Sequence, residues 1–173
     1  MSREWSMPNG DTFSMRPVVK FLDRWVNGAT VIVDPFARNS MRGTHRNDLS
    51  PDTAADHHMD AEAFCEMMVD RGVEADVLLF DPPYSPRQIS ELYQSIGLKV
   101  GMKETQNAAM YKRVRDAAEP MIKPRGIVLS FGWHSNGMGK GRGYEIEEIM
   151  LVAHGGGHSD TICLAERKLP RLL

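Results

Sequence analysis

A chain of 173 residues is long enough for one domain with a real core and short for two. Its 42% hydrophobic and 25% charged residues suit a soluble globular protein, and no apolar run approaches the length of a membrane span. A net charge of −2 excludes a generic polyanion binder, and the two cysteines, Cys65 and Cys163, read as small buried hydrophobes in a reducing cytosol, without metal spacing around them.

The stretch from Met1 to Trp5 lacks the apolar core of a signal peptide, so a cytoplasmic location is expected. Arg16 to Asn27 carries Val18, Val19, Leu22, Trp25 and Val26 at helical spacing, with Pro17 early and Gly28 just past the end. Thr30 to Val33 is a short strand, and the polar stretch Thr44 to Leu49 is a candidate for another. Asp60 to Arg71 reads as a helix closed by Gly72, and Asp76 to Phe80 as a buried strand. Ser85 to Gln88 has a capping-box pattern with Pro86 at the first helical position, and Gly97 marks the stop. A helix follows over Asn107 to Ile122, then strands over Ile127 to Phe131, Ile146 to Val152 and Thr161 to Glu166. The last two strands succeed one another through Ala153 to Gly157. This order predicts an α/β fold with a mostly parallel sheet finished by an antiparallel hairpin.

The apolar run Val77 to Phe80 stops at Asp81, Pro82, Pro83 and Tyr84. A buried parallel strand carries its ligand chemistry at its carboxyl end. The two prolines fix their own φ and donate no N–H, so they hold the segment stiff with carbonyls available as acceptors. A carboxylate, a carbonyl and a flat ring in a rigid row suit a planar group bearing an amine. The plainer alternative is a proline-stiffened turn without chemistry.

Asp81-Pro82-Pro83-Tyr84 resembles the catalytic motif of the amino-group DNA methyltransferases that use S-adenosylmethionine, especially the adenine-N6 enzymes. The resemblance implies that the acid and the first proline carbonyl accept hydrogen bonds from the base amine. The aromatic would stack on a base flipped out of the duplex. It further implies a Rossmann-like methyltransferase fold: a seven-stranded sheet with helices on both faces and one antiparallel strand in the closing hairpin.

Asp34, Pro35, Phe36 and Ala37, after the strand Val31 to Val33, are similar to that family's cofactor signature. The chain departs from the signature where glycines are expected, with Arg38, Asn39 and Ser40. Asn39 is expected to supply the left-handed residue of the turn, while Arg38 either reaches an anion or fills space the cofactor needs. By the same resemblance Asp48 holds the ribose hydroxyls and Asp60 the cofactor's adenine amine; the alternatives are a turn acid and a helix N-cap. The segment Pro8 to Phe13 is placed over the methionine end by position alone.

On the substrate side, Trp133 lines the base pocket or packs between sheet and helix. Lys140 and Arg142, in a glycine-rich stretch, touch nucleic-acid phosphates or belong to an ordinary connection. Two basic clusters, Arg38 to Arg46 and Lys112 to Arg125, steer phosphates or are solvated faces. His57, His58, His154 and His158 lack zinc spacing, so no metal is assigned; the last two are expected at the surface of a hairpin turn.

Together these features imply one catalytic domain over residues 1–173, without a separate target-recognition domain, similar to compact phage-type members. DNA is the expected partner, with no membrane. A homodimer or partner subunit would compensate for the small inserts Leu98 to Thr105 and His134 to Tyr144. The expected reaction is methylation of the N6 amine of adenine in DNA. Cytosine N4, RNA, or a non-catalytic binding protein of the same fold are the alternatives.

Overall fold

The computed structural model describes residues 1–83 and 107–170. Its elements run β1 (Ser2–Trp5), α1 (Arg16–Val26), β2 (Ile32–Asp34), β3 (His45–Arg46), α2 (Ala61–Asp70), β4 (Ala75–Phe80), α3 (Asn107–Ala118), β5 (Ile122–Gly132), β6 (Tyr144–Ala153) and β7 (Thr161–Lys168). They build one seven-stranded sheet in the order β1-β6-β7-β5-β4-β2-β3. Pairing is parallel except where β7 lies antiparallel between β5 and β6. No described helix is long and apolar enough to cross a membrane.

The alternation of side chains along β4 sorts the core into two layers. Leu78 and Phe80 face α2 and α3, packing with Phe64, Cys65, Met68 and Val114. Val77 and Leu79 face α1, packing with Val18, Phe21, Leu22 and Phe131. Both faces being covered explains why β4 reads as an unbroken apolar run. The cysteines sit one in each layer, both free, and burial raises both thiol pKa values, Cys65 to about 12. Neither is a poised nucleophile.

Three expectations need correction. Among the described residues the strand count is seven, but one member is the unforeseen β1, whose residues are all exposed and which exists by pairing with β6. The polar stretch Thr44 to Leu49 keeps only His45–Arg46 as a strand, because Asn47 turns inward, beyond it, to serve the loops. The helix expected to reach Ile122 ends at Ala118, and a 3-10 turn over Glu119–Met121 with Pro120 near its start leads directly into β5. The helix expected after Ser85 and the insert Leu98 to Thr105 lie outside the described residues.

Asp76 fastens β2 to the sheet. One carboxylate oxygen accepts from the Thr30 and Val31 backbone N–H groups and the Thr30 hydroxyl, all at 2.9 Å, and the other accepts from Lys123 Nζ at 2.6 Å. The Lys123 hydrogen bond first, then the backbone donors, hold its pKa far below the usual carboxylate range. A depressed folded pKa stabilises the native state above the unfolded value and loses that contribution as pH falls through the folded one. Asp76→Ala is therefore expected to lower stability at neutral pH and to flatten its fall below about pH 4. Parallel pH profiles of urea unfolding for both proteins would remove Asp76 from this role.

Candidate functional site

The carboxyl ends of β2, β3, β4 and β5 lie along one edge of the parallel sheet, where open α/β sheets place their ligands. Asp34 closes β2 with its carboxylate fully buried. Oδ1 accepts from the Phe36 N–H at 3.1 Å, while Oδ2 is buried with no hydrogen-bond partner. Burial pushes its pKa well above the usual range against the Phe36 hydrogen bond, and the neighbouring Asp81 and Asp48 push it further the same way. A buried carboxylate with an orphaned oxygen either holds a proton or awaits a donor.

Asn47, which the sequence reading did not single out, organises this corner. Buried completely, it donates through Nδ2 to the Pro35 carbonyl (3.1 Å) and the Met59 carbonyl (2.9 Å), and accepts at Oδ1 from the Met59 N–H (3.1 Å). Its backbone binds Asp34 O and Ala37 N, both at 2.8 Å. One side chain thus ties the loops after β2 and β3 to the entry of α2. Pro35 and Ala37 are buried beneath this tie, and Phe36 meets Phe80 edge-on with ring centroids 5.6 Å apart.

Asp48 is buried beside it, accepting from Arg38 N (3.1 Å) and Ser50 N (2.9 Å). A carboxylate has about four acceptor sites, so capacity remains for further donors. The turn after Phe36 survives, but differently from expectation. Arg38, not Asn39, adopts the left-handed conformation, at φ 50°. Asp48 captures its N–H, and its guanidinium donates to the Gly10 carbonyl, drawing the segment before α1 towards this loop. Asn39 is exposed and accepts from Ala54 N at 3.0 Å. Asp60 is the N-cap of α2, accepting from Glu62 N and Ala63 N, and is exposed.

At the end of β4, Asp81 is half-buried and Pro82 buried. The Pro83 carbonyl is not left available: the Tyr111 hydroxyl of α3 donates to it at 2.6 Å. Tyr111 was missed because it reads as one more apolar position on a helix. Its burial pushes the phenol to about 12, so it stays a donor throughout the physiological range. A pocket of about 280 Å³ opens beside Pro82, walled by Phe80, Tyr111, Arg115, Ser130 and Trp133. Trp133 is half-exposed in this wall. Tyr84 lies outside the described residues.

The glycine-rich stretch is docked rather than loose. Glu166 of β7, only 1% exposed, accepts from Met138 N at 2.6 Å and Gly139 N at 2.9 Å. A Cβ on Gly137 would stand 1.8 Å from Glu166 Oε2. Gly137→Ala is therefore expected to displace the carboxylate and destabilise the fold by about 1–3 kcal/mol, the usual cost of overpacking. A melting temperature unchanged from the parent would refute this.

Within that stretch Lys140 is exposed, whereas Arg142 is committed to Asp116 (2.6 Å) and the Met138 carbonyl (3.2 Å). The basic clusters are similarly engaged: Arg42 with Asp23, Arg46 with Asp56, Lys112 with Asp116, Arg113 with Glu62 and Lys123 with Asp76. His154 departs from its expected surface position. It is buried between the Ser6 carbonyl and the Thr161 hydroxyl, pinning the end of β1 to the hairpin.

No protein-family model and no curated protein matches the sequence. Solved structures do match the fold. NSun6 from Pyrococcus horikoshii with SFG is 17% identical, over 87% of this chain and 51% of that one, with a TM-score of 0.56. TrmN from Thermus thermophilus is 16% identical, over 90% of this chain and 49% of that one, at 0.57. The Escherichia coli protein yhhF is 10% identical, over 95% of this chain and 92% of that one, at 0.55. The chain spans about half the length of the first two. These likenesses show the Rossmann-like α/β methyltransferase fold.

Proposed function

We propose that this chain is an S-adenosylmethionine-dependent methyltransferase acting on the N6 amine of adenine in DNA. The observation that supports this best is the rigid Asp81-Pro82-Pro83 row at the end of β4, beside an aromatic-walled pocket. Tyr111 holds the Pro83 carbonyl, and among the described residues no donor occupies the Pro82 carbonyl. Asp81 and that carbonyl accept from the base amine, which aims the nitrogen lone pair and favours the charge developing on nitrogen. Tyr84 stacks on the flipped base, and Trp133 lines the pocket beside Pro82. Lys140 contacts the DNA backbone; Arg142, tied to Asp116, holds the loop that carries it.

S-adenosylmethionine supplies, when bound, a methyl group on a sulfonium, so the protein's task is alignment. The residues present fit it. The orphaned Asp34 oxygen and the neighbouring Asp48 suit a cationic ligand bearing an ammonium. Asp48 retains acceptor capacity for a ribose diol, and Asp60 for an adenine amine. Pro35, Phe36, Ala37 and Asn39 shape the backbone on which the ligand rests. Asp48→Ala is expected to weaken cofactor binding by about 1–3 kcal/mol, the usual cost of losing hydrogen bonds to a charged group. An unchanged dissociation constant in calorimetry would make Asp48 a turn residue only.

Arg38 at φ 50°, where the resembling family carries glycine, favours a second reading: a binding protein of this fold without catalysis. Labelled S-adenosylmethionine offered with separate pools of DNA, RNA and protein decides between them. Label recovered from DNA as N6-methyladenine is the expected result. Label in RNA, protein or cytosine overturns the substrate, and no label together with no calorimetric cofactor binding favours the second reading. The short inserts suit a brief target, a homodimer or a partner subunit, in the cytoplasm.

A further inference from the structure

Among the described residues, the cation in the pocket beside Pro82 has no carboxylate partner. Arg115 stands one helical turn after Tyr111 on α3, so both side chains reach the same face. Its guanidinium carbon lies 5.3 Å from the Phe80 ring centroid and 6.0 Å from that of Tyr111. Its Nε is buried with no hydrogen-bond partner, and so is Ser130 Oγ in the same pocket. Arg42, Arg46, Arg113 and Arg142 each hold a carboxylate, but among the described residues Arg115 forms no ion pair. The nearby Glu166 has both oxygens engaged by backbone N–H groups; it and Asp116 attract Arg115 without a direct ion pair among the described residues, and Arg142 repels it. A partly desolvated guanidinium whose buried Nε has no partner carries a cost that a ligand acceptor would relieve.

The pocket wall combines acceptor and donor groups. Pro82, which has a carbonyl and no N–H, lines it together with Arg115 and Ser130, and Asp81 precedes Pro82 in the chain. A phosphate would find Arg115 as the single Lys or Arg among mostly aromatic and apolar lining residues, a weak match for its charge. A flat heterocycle with an amine next to a ring acceptor matches both kinds of group, and adenine presents that pattern. We infer that Arg115, with Ser130, donates to a ring nitrogen of the target adenine and so selects a base with an acceptor near the amine that is methylated. This assignment rests on the base-methylating reading of the site.

The test measures binding of single-stranded oligonucleotides carrying adenine, 1-deazaadenine, 7-deazaadenine or an abasic site at one position, by fluorescence anisotropy. The native protein is expected to bind one of the two deaza oligonucleotides roughly tenfold more weakly than adenine. Arg115→Met should bind adenine and that analogue equally, and should match the native protein on the abasic strand. Arg115→Lys, which keeps the charge and the helix but loses the planar fork, should discriminate less than the native protein. Equal binding of all three bases by the native protein overturns the assignment whether or not Arg115→Met folds. So does a loss by Arg115→Met that is as large on the abasic strand, which would mark a phosphate contact. Methyl transfer is scored separately. Discrimination without transfer sinks the proposed reaction and leaves the pocket assignment standing, whereas transfer without discrimination does the reverse.

Discussion

Asp81→Ala is expected to reduce methyl transfer by roughly 10²–10³ or more, the scale for removing one preorganised polar group that meets developing charge. Cofactor affinity and folding should persist. The side chain lies beyond the last ladder position of β4, and the motif's backbone is held independently by the prolines and by Tyr111 on the Pro83 carbonyl. Single-turnover transfer with saturating cofactor, paired with calorimetry, separates the two properties. Removing Asp81 also takes one negative neighbour from Asp34, so the Asp34 pKa should fall and cofactor binding should not weaken on that account. Activity at the parent level would end the assignment of this motif to the base amine.

The largest expected loss of stability comes from Asn47→Asp, a change of one atom. Nδ2 faces two carbonyl oxygens, of Pro35 and Met59, so a carboxylate there meets acceptors where it needs donors. The site is fully buried and already lies beside Asp34 and Asp48, so the new charge has no compensation. An uncompensated buried charge costs about 3–5 kcal/mol, a large part of the stability of an ordinary domain, about 5–15 kcal/mol. Protonation removes the charge and restores one donor, so the variant should recover part of the loss as pH falls. Equilibrium urea unfolding at pH 7 and pH 5 reads both effects. A loss below about 1 kcal/mol at pH 7 would mean that the three loops are held without this side chain.

The Asp81 segment was legible because its physics is local: an apolar run covered on both faces, a strand end and two prolines. The helices α1 and α2 were legible for the same reason, their stripes and stops lying within a dozen residues. What escaped depends on chain segments distant in sequence. β1 has four exposed residues of mixed character, and only β6 makes them a strand. Local propensity favours Asn39 as the left-handed residue of its turn, but Asp48 and Gly10 bind Arg38 instead. Those contacts offset the roughly 1–2 kcal/mol that such a backbone costs an L-residue. Asn47 sits in a polar run and reads as a turn residue; its burial arises because three separated loops converge on it. His154 follows the same rule, since the residues that cover it are Ser6 and Thr161.

Glu166 carries a consequence for access to the pocket beside Pro82. Its carboxylate belongs to a central strand, yet it grips the backbone of Met138 and Gly139, and the chain between these and β5 forms part of the pocket wall. That stretch is a loop by sequence and part of the same cooperative unit as β7 by energetics. It cannot swing aside as a hinge does without breaking two charge-assisted hydrogen bonds in the interior. Entry to the pocket through this side would therefore proceed on the slow clock of sub-global opening rather than the fast one of surface loops. The wall is a fixed jamb, and any door must hang elsewhere.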